Sequence, residues 1–128
     1  IYIRDSGILH TLLTLQDNQI LSHPKLGASW EGFVIEQMIA MTGIRDFYFW
    51  ATYAGAELDL LFFKNGKRLG FEIKYTDVPK ITKSMRIAFK ELKLERLYIV
   101  YPGNQSFPLE NNIEVISIAA LESFCTSL

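Results

Sequence analysis

The hydrophobic pattern changes period along this chain, and each change marks an element. Residues 26–42 carry Trp30, Phe33, Val34, Ile35, Met38, Ile39, Ala40 and Met41, apolar nearly all round, which predicts a mostly buried helix. Gly43 stands where a C-terminal glycine belongs. Residues 47–53, 57–64 and 67–75 are rich in aromatic and branched side chains and predict three strands. Ala54-Gly55 and Asn65-Gly66 separate them, and Asn-Gly predicts that the second and third strands pair as an antiparallel hairpin. From Pro79 to about Lys93, the residues Ile81, Met85, Ala88, Phe89 and Leu92 form the apolar stripe of an amphipathic helix. Residues 96–101 are almost continuously apolar, as in a strand buried on both faces, and Pro102-Gly103 ends it. Residues 113–118 predict a last strand and 119–124 a short closing helix.

Upstream, residues 1–4 alternate like a short strand, and residues 7–15 predict a helix with Ser6 as its N-cap. Residues 17–27 are polar and turn-rich, with Pro24 restricting His23 to an extended conformation. The core order is α-β-β-β-α-β-β-α, an α/β fold with a mixed central sheet flanked by helices. No internal repeat or low-complexity segment interrupts it.

Composition narrows the class. A length of 128 residues suits one domain, and 49% apolar with 21% charged residues is a globular balance. The net charge of −1 supplies no global field toward nucleic acid, so any such contact needs a local patch. Cys125 is the single cysteine; an internal disulfide is excluded, no spacing suggests zinc, and a reducing, cytoplasmic setting is expected. The richest apolar stretch, residues 33–41, is broken by Glu36 and Gln37, so no membrane association is expected. Arg4, Asp5 and His10 exclude a signal peptide. The chain opens at Ile1 without an initiator Met, as a piece of a longer protein would; processing or omitted residues would look the same.

Candidate chemistry gathers on the second and third strands. Alternation puts Leu69, Phe71, Ile73 and Tyr75 on one face of the third strand and Gly70, Glu72 and Lys74 on the other. Glu72 and Lys74 then stand about 7 Å apart at Cα. On the second strand, alternation groups Glu57, Asp59 and Leu61 against Leu58, Leu60 and Phe62. The hairpin brings Asp59 near Glu72 if those faces coincide. Phosphodiester hydrolysis needs a hard divalent cation on oxygen ligands, an activated water and charge stabilisation at phosphorus. Asp59 and Glu72 can supply carboxylates, the Ile73 carbonyl a further ligand, and Lys74 can position water or stabilise charge. Glu-x-Lys is equally the pattern of a solvated ion pair, but an Asp amid Leu58–Phe63 is harder to treat so. Glu36, inside the apolar helix, needs a cation or donors and is the expected third carboxylate; a backbone donor or an arginine would also satisfy it.

Lys80, Lys83, Arg86, Lys90 and Lys93 recur every three or four positions opposite the apolar stripe and form a candidate phosphate track, or else a solvated helix face. Tyr48, Trp50 and Tyr53 could stack on bases, though strand spacing suits core. His10 and His23 lack a ligand-spaced partner, and Ser29, Ser84 and Cys125 lack a His–acid arrangement for nucleophilic catalysis. No G-x-x-x-x-G-K-[ST] phosphate loop occurs.

Glu36 on a helix, Asp59 on a strand and Glu72-Ile73-Lys74 on the next resemble the PD-(D/E)XK nuclease superfamily, with Leu58-Asp59 replacing the proline-aspartate pair. Residues 2–7, 22–25, 27–33, 55–60, 71–74 and 100–103 (Tyr-Ile-Arg-Asp-Ser-Gly through Val-Tyr-Pro-Gly) resemble more particularly the C-terminal domain of uncharacterised prokaryotic AAA+ ATPases. That resemblance implies a restriction-endonuclease-like core over 26–128, a lead-in over 1–25 from an ATPase region upstream, and Mg²⁺ or Mn²⁺ at the carboxylates. It implies a nuclease acting on DNA, or less favourably RNA. The alternatives are an inactive nuclease-fold module binding nucleic acid or protein and regulating the ATPase, and a homo-oligomerisation domain.

Overall fold

The structure is a computed structural model and describes residues 24–128. The strand expected over residues 1–4, the helix over 7–15, His10 and His23 lie outside the described residues. The elements in order are α1 (Pro24–Thr42), β1 (Phe47–Ala51), β2 (Glu57–Lys64), β3 (Lys67–Ile73), α2 (Lys83–Glu91), β4 (Arg96–Tyr101), β5 (Phe107–Glu110), β6 (Ile113–Ser117), a 3-10 turn (Ile118–Ala120) and α3 (Leu121–Thr126). The six strands form one mixed sheet in the order β1-β2-β3-β4-β6-β5. Pairing is antiparallel from β1 to β3, parallel from β3 through β4 to β6, and antiparallel again at β5.

Local chemistry explains most boundaries. Gly43, at φ +66°, closes α1 and donates to the Ile39 carbonyl. Asn65 and Gly66 both have positive φ, as the two-residue hairpin turn requires. α2 starts at Lys83 rather than near Pro79, because Thr82 acts as its N-cap and accepts from the Met85 N–H at 3.2 Å. β5 is an addition to the expected order. Pro108 argues against a strand, but β5 is the sheet's edge, where a missing N–H costs no ladder bond.

The sheet is covered on both faces. Trp30, Val34 and Met38 of α1, one turn apart and fully buried, join Leu121 and Cys125 of α3 against Leu60, Phe62, Phe71, Ile73 and Val100. Met85 and Ala88 of α2 pack on the other face against Leu58, Leu61, Leu97, Ile99 and Tyr101. β4 feeds both cores by alternation, as its apolar run predicted.

β2 departs from simple alternation. Leu58 belongs to the α2 side with Leu61, not with Leu60 and Phe62. The β1–β2 register shifts by one between Tyr48 (opposite Leu61) and Trp50 (opposite Leu58), so Asp59 and Leu60 together face Phe49. This bulge re-aims Asp59, and residue spacing alone cannot show it.

Gly70 lies where β3 passes closest to the α2-side core. A Cβ there would sit 2.6 Å from Leu94 Cδ1 and 3.2 Å from Leu58 Cδ2 and Leu97 Cδ1. Gly70→Val is therefore expected to lower stability by about 1–3 kcal/mol through overpacking, read as a lower urea midpoint with an unchanged slope.

Candidate functional site

β2 and β3 stop pairing after Leu60–Phe71, although both strands continue, β3 now held by β4 alone. Beyond that point the ladder is replaced by side chains. Asp59 N–H donates to Glu72 Oε1 at 3.1 Å, and Ile73 N–H donates to Asp59 Oδ2 at 2.8 Å. The reciprocal pair satisfies backbone donors that the separation of strands would orphan. It also fixes two carboxylates from different strands beside each other.

Lys74 stands over the pair, its Nζ 3.5 Å from Glu72 Oε2. Its own N–H donates to the Val100 carbonyl at 2.8 Å, so its backbone is fixed while the side chain remains 41% exposed. Glu72 is 5% exposed at the side chain. Burial first, and then the Asp59 charge, push its carboxyl up to about 7 against the pull of Lys74. Burial likewise raises the Asp59 carboxyl, opposed by the Ile73 N–H and by Lys74.

The acidic residue that α1 brings to this site is Glu31. Its Oε2 accepts the Tyr75 N–H at 3.0 Å, and its carboxyl, raised mainly by burial, feels the charges of Asp59 and Lys74. Glu36 was the expected third carboxylate. It is buried, but five residues along a helix turn it about 140° from Glu31. Among the described residues no three Asp, Glu, His or Cys side chains form a group able to hold a metal ion, so the Glu36–Asp59–Glu72 triad is not assembled. The available signal was position: Glu31 sits next to Trp30, whose ring lies 5.3 Å from that of Tyr75 at the end of the Glu-x-Lys strand. At Ile73 the group in play is the N–H given to Asp59.

The expected basic stripe is shorter than its spacing suggested. Lys80 precedes α2, and Lys93 follows it at φ +52°, which leaves Lys83, Arg86 and Lys90 on the helix. Arg86 makes a two-pronged ion pair with Glu110 at 2.6 and 3.2 Å and ties α2 to β5. Ser84 is structural: its Oγ accepts the Glu57 N–H at 2.8 Å and donates to the Glu57 carbonyl, docking the start of α2 two residues before Asp59. Ser29 is exposed, and Cys125 is buried with its thiol pushed up to about 12, which suits packing rather than nucleophilic attack. Tyr48 and Tyr53 are exposed rather than core, and Trp50 is half-buried.

The raised Glu72 carboxyl has a thermodynamic consequence. The folded chain keeps a proton that the unfolded chain releases between pH 4.5 and about 7. This group therefore favours folding below that window and opposes it progressively as pH climbs through it. Glu72→Gln, which retains an acceptor for the Asp59 N–H, is expected to stabilise the fold at pH 8 by on the order of 2 kcal/mol, seen as a higher Tm. The difference should close as pH falls to 4, as thermal unfolding across pH will show.

Comparison with known proteins places the chain. Two curated mycobacterial proteins, Uncharacterized protein Mb2031c of Mycobacterium bovis and Uncharacterized protein Rv2008c of Mycobacterium tuberculosis, are each 50% identical to it over 117 residues, 91% of this chain. The chain spans about a quarter (26%) of the length of these relatives. Among solved structures, protein VC1899 from Vibrio cholerae is similar at 16% identity and a TM-score of 0.46, covering 99% of this chain and 44% of that one. Residues 26–121, from α1 into α3, match the family described as Domain of unknown function (DUF4143), and the chain belongs to that family.

Proposed function

We propose that the domain is a metal-dependent nuclease-like module of PD-(D/E)XK type that hydrolyses phosphodiesters in DNA. The observation carrying this reading is the meeting of Asp59 and Glu72 where β2 and β3 separate, with Lys74 Nζ 3.5 Å from Glu72. The donor set fits a hard dication. Mg²⁺ commonly takes one or two carboxylates and completes its shell with water and substrate phosphate oxygens. Burial raises the proton affinity of both carboxylates, and the Asp59 charge raises that of Glu72 further, a cost that such a cation would relieve. Asp59 and Glu72 would hold Mg²⁺ or Mn²⁺, which when bound supplies Lewis acidity and a more acidic water.

The chain's own groups have distinct parts. Asp59 and Glu72 bind in place because each is tied to the opposite backbone. Lys74 presents a partly solvated ammonium where charge develops on phosphorus and can orient the attacking water. Glu31 adds a third negative charge at the rim and holds the Tyr75 N–H, fixing the backbone just after Lys74. An ATPase region elsewhere in the full-length protein is part of this proposal, and the length of the mycobacterial relatives leaves room for one.

One observation favours a second reading, a non-catalytic module that binds nucleic acid or protein and regulates its attached partner. Both carboxylates already accept backbone N–H groups, and no third acid completes a metal-holding group among the described residues.

Cleavage of plasmid and single-stranded DNA with Mg²⁺ or Mn²⁺ tests the first reading. The chain is expected to cut, and Asp59→Asn and Lys74→Ala each to cut roughly a hundred-fold more slowly or worse. Equal cutting by all three rejects the assignment. Calorimetric titration with Mg²⁺ separates the readings: heat that disappears in Asp59→Asn supports hydrolysis, and no heat in the wild-type chain supports the interaction module.

A further inference from the structure

β1 is one edge of the sheet, a five-residue strand whose pairing with β2 is bulged. Phe47–Ala51 reads Phe-Tyr-Phe-Trp-Ala, with no lysine or proline to blunt it. Tyr48 is 53% exposed and Phe49 62%. Together with Asp46, Trp50, Leu61 and Phe63 they line an open groove of about 400 Å³. Tyr48 stands edge-on to Phe63 with ring centroids 5.4 Å apart, and the nearby Asp46 carboxylate holds its phenol above the usual range.

One cation, Arg68, borders this groove. Arg68 Cζ lies 5.6 Å over the Phe63 ring, and its Nη1 donates to the Leu92 carbonyl at 2.9 Å. That bond docks the guanidinium at the C-terminal end of α2, where Lys90 and Lys93 stand exposed, with Glu91 and Glu95 between and beyond them. An occupant that offers flat rings suits this mostly aromatic lining, and one that also carries negative charge suits Arg68 over Phe63. An apolar protein helix would seat aliphatic knobs and leave the cation unmatched. A duplex keeps its base faces stacked and out of reach. Unpaired nucleotides satisfy both demands, since every base has a π face and every linkage a charge.

Position strengthens the match. Phe49 sits opposite the Asp59–Leu60 bulge, one strand away from the acidic site. We infer that the β1 groove is a base-stacking subsite for single-stranded nucleic acid, seating unpaired nucleotides beside Asp59 and Glu72. Its role as a substrate subsite rests on the hydrolytic reading above; the binding itself does not.

Fluorescence anisotropy with a labelled oligothymidylate and a duplex of equal length, both in EDTA, tests this. The single strand is expected to bind roughly ten-fold more tightly. Tyr48→Leu and Phe49→Leu, both at exposed positions, should each weaken single-strand binding about five-fold or more while leaving Tm unchanged. Lys90→Gln should lower the salt slope by about one contact. Equal affinity for the two oligonucleotides, or no loss in either aromatic variant, overturns the inference. So does a wild-type dimer that Tyr48→Leu splits without changing single-strand binding, because the groove then belongs to a second copy. Because EDTA strips any divalent cation, the titration reads binding alone, whether or not the chain cuts DNA with Mg²⁺. Failure of the hydrolytic reading thus leaves this result separately readable.

Discussion

The reciprocal bonding of Asp59 and Glu72 across the gap between β2 and β3 is the constraint on which the site depends. An antiparallel pair that separates in the interior leaves N–H groups without partners, each a cost comparable to a lost hydrogen bond. Here the two carboxylates supply the acceptors, so the strands can part without leaving orphaned donors. The same bonds prevent either acid from turning out to solvent. Two negative groups are held together where burial already disfavours their charge.

That arrangement is electrostatically unfinished. Lys74 offsets part of the repulsion, but its ammonium is 41% exposed and its attraction is screened by water. Glu31 arrives from α1 and adds negative charge instead of relieving it. A cation at this place would reduce the repulsion, and this is the physical content behind the proposed chemistry. A purely structural role needs only the backbone bonds that Asp59, Glu72 and Glu31 already make.

The bulge connects this site to the rest of the molecule. By placing Asp59 and Leu60 together opposite Phe49, it shifts the alternation of β2 so that Leu60 and Phe62 serve the α1 core while Leu58 and Leu61 serve the α2 core. It also places the exposed aromatic edge next to the acids. Ser84, bonded to Glu57 at both backbone atoms, brings α2 to the same end of β2. Three elements therefore converge on a segment of only a few residues.

Much of this architecture was legible in the chain itself, wherever a short-range rule governs. Asn65-Gly66 fixed a hairpin because positive φ is needed at both turn positions, and the apolar run of β4 marked burial on both faces. The pairing of Glu72 with Lys74 followed from a period of two, and Gly43 from the way helices end. Other features depended on neighbours distant in sequence. Glu31 rather than Glu36 reaches the site because packing of Trp30, Val34 and Met38 on the sheet sets the rotation of α1, and an all-apolar helix carries no preferred face of its own. The edge position of β5 made Pro108 acceptable, and Thr82 shortened the basic helix. Asp59 gained its direction from a register shift against β1. Spacing along one strand determines side-chain alternation only while the ladder is regular, and only the folded sheet decides where that regularity breaks.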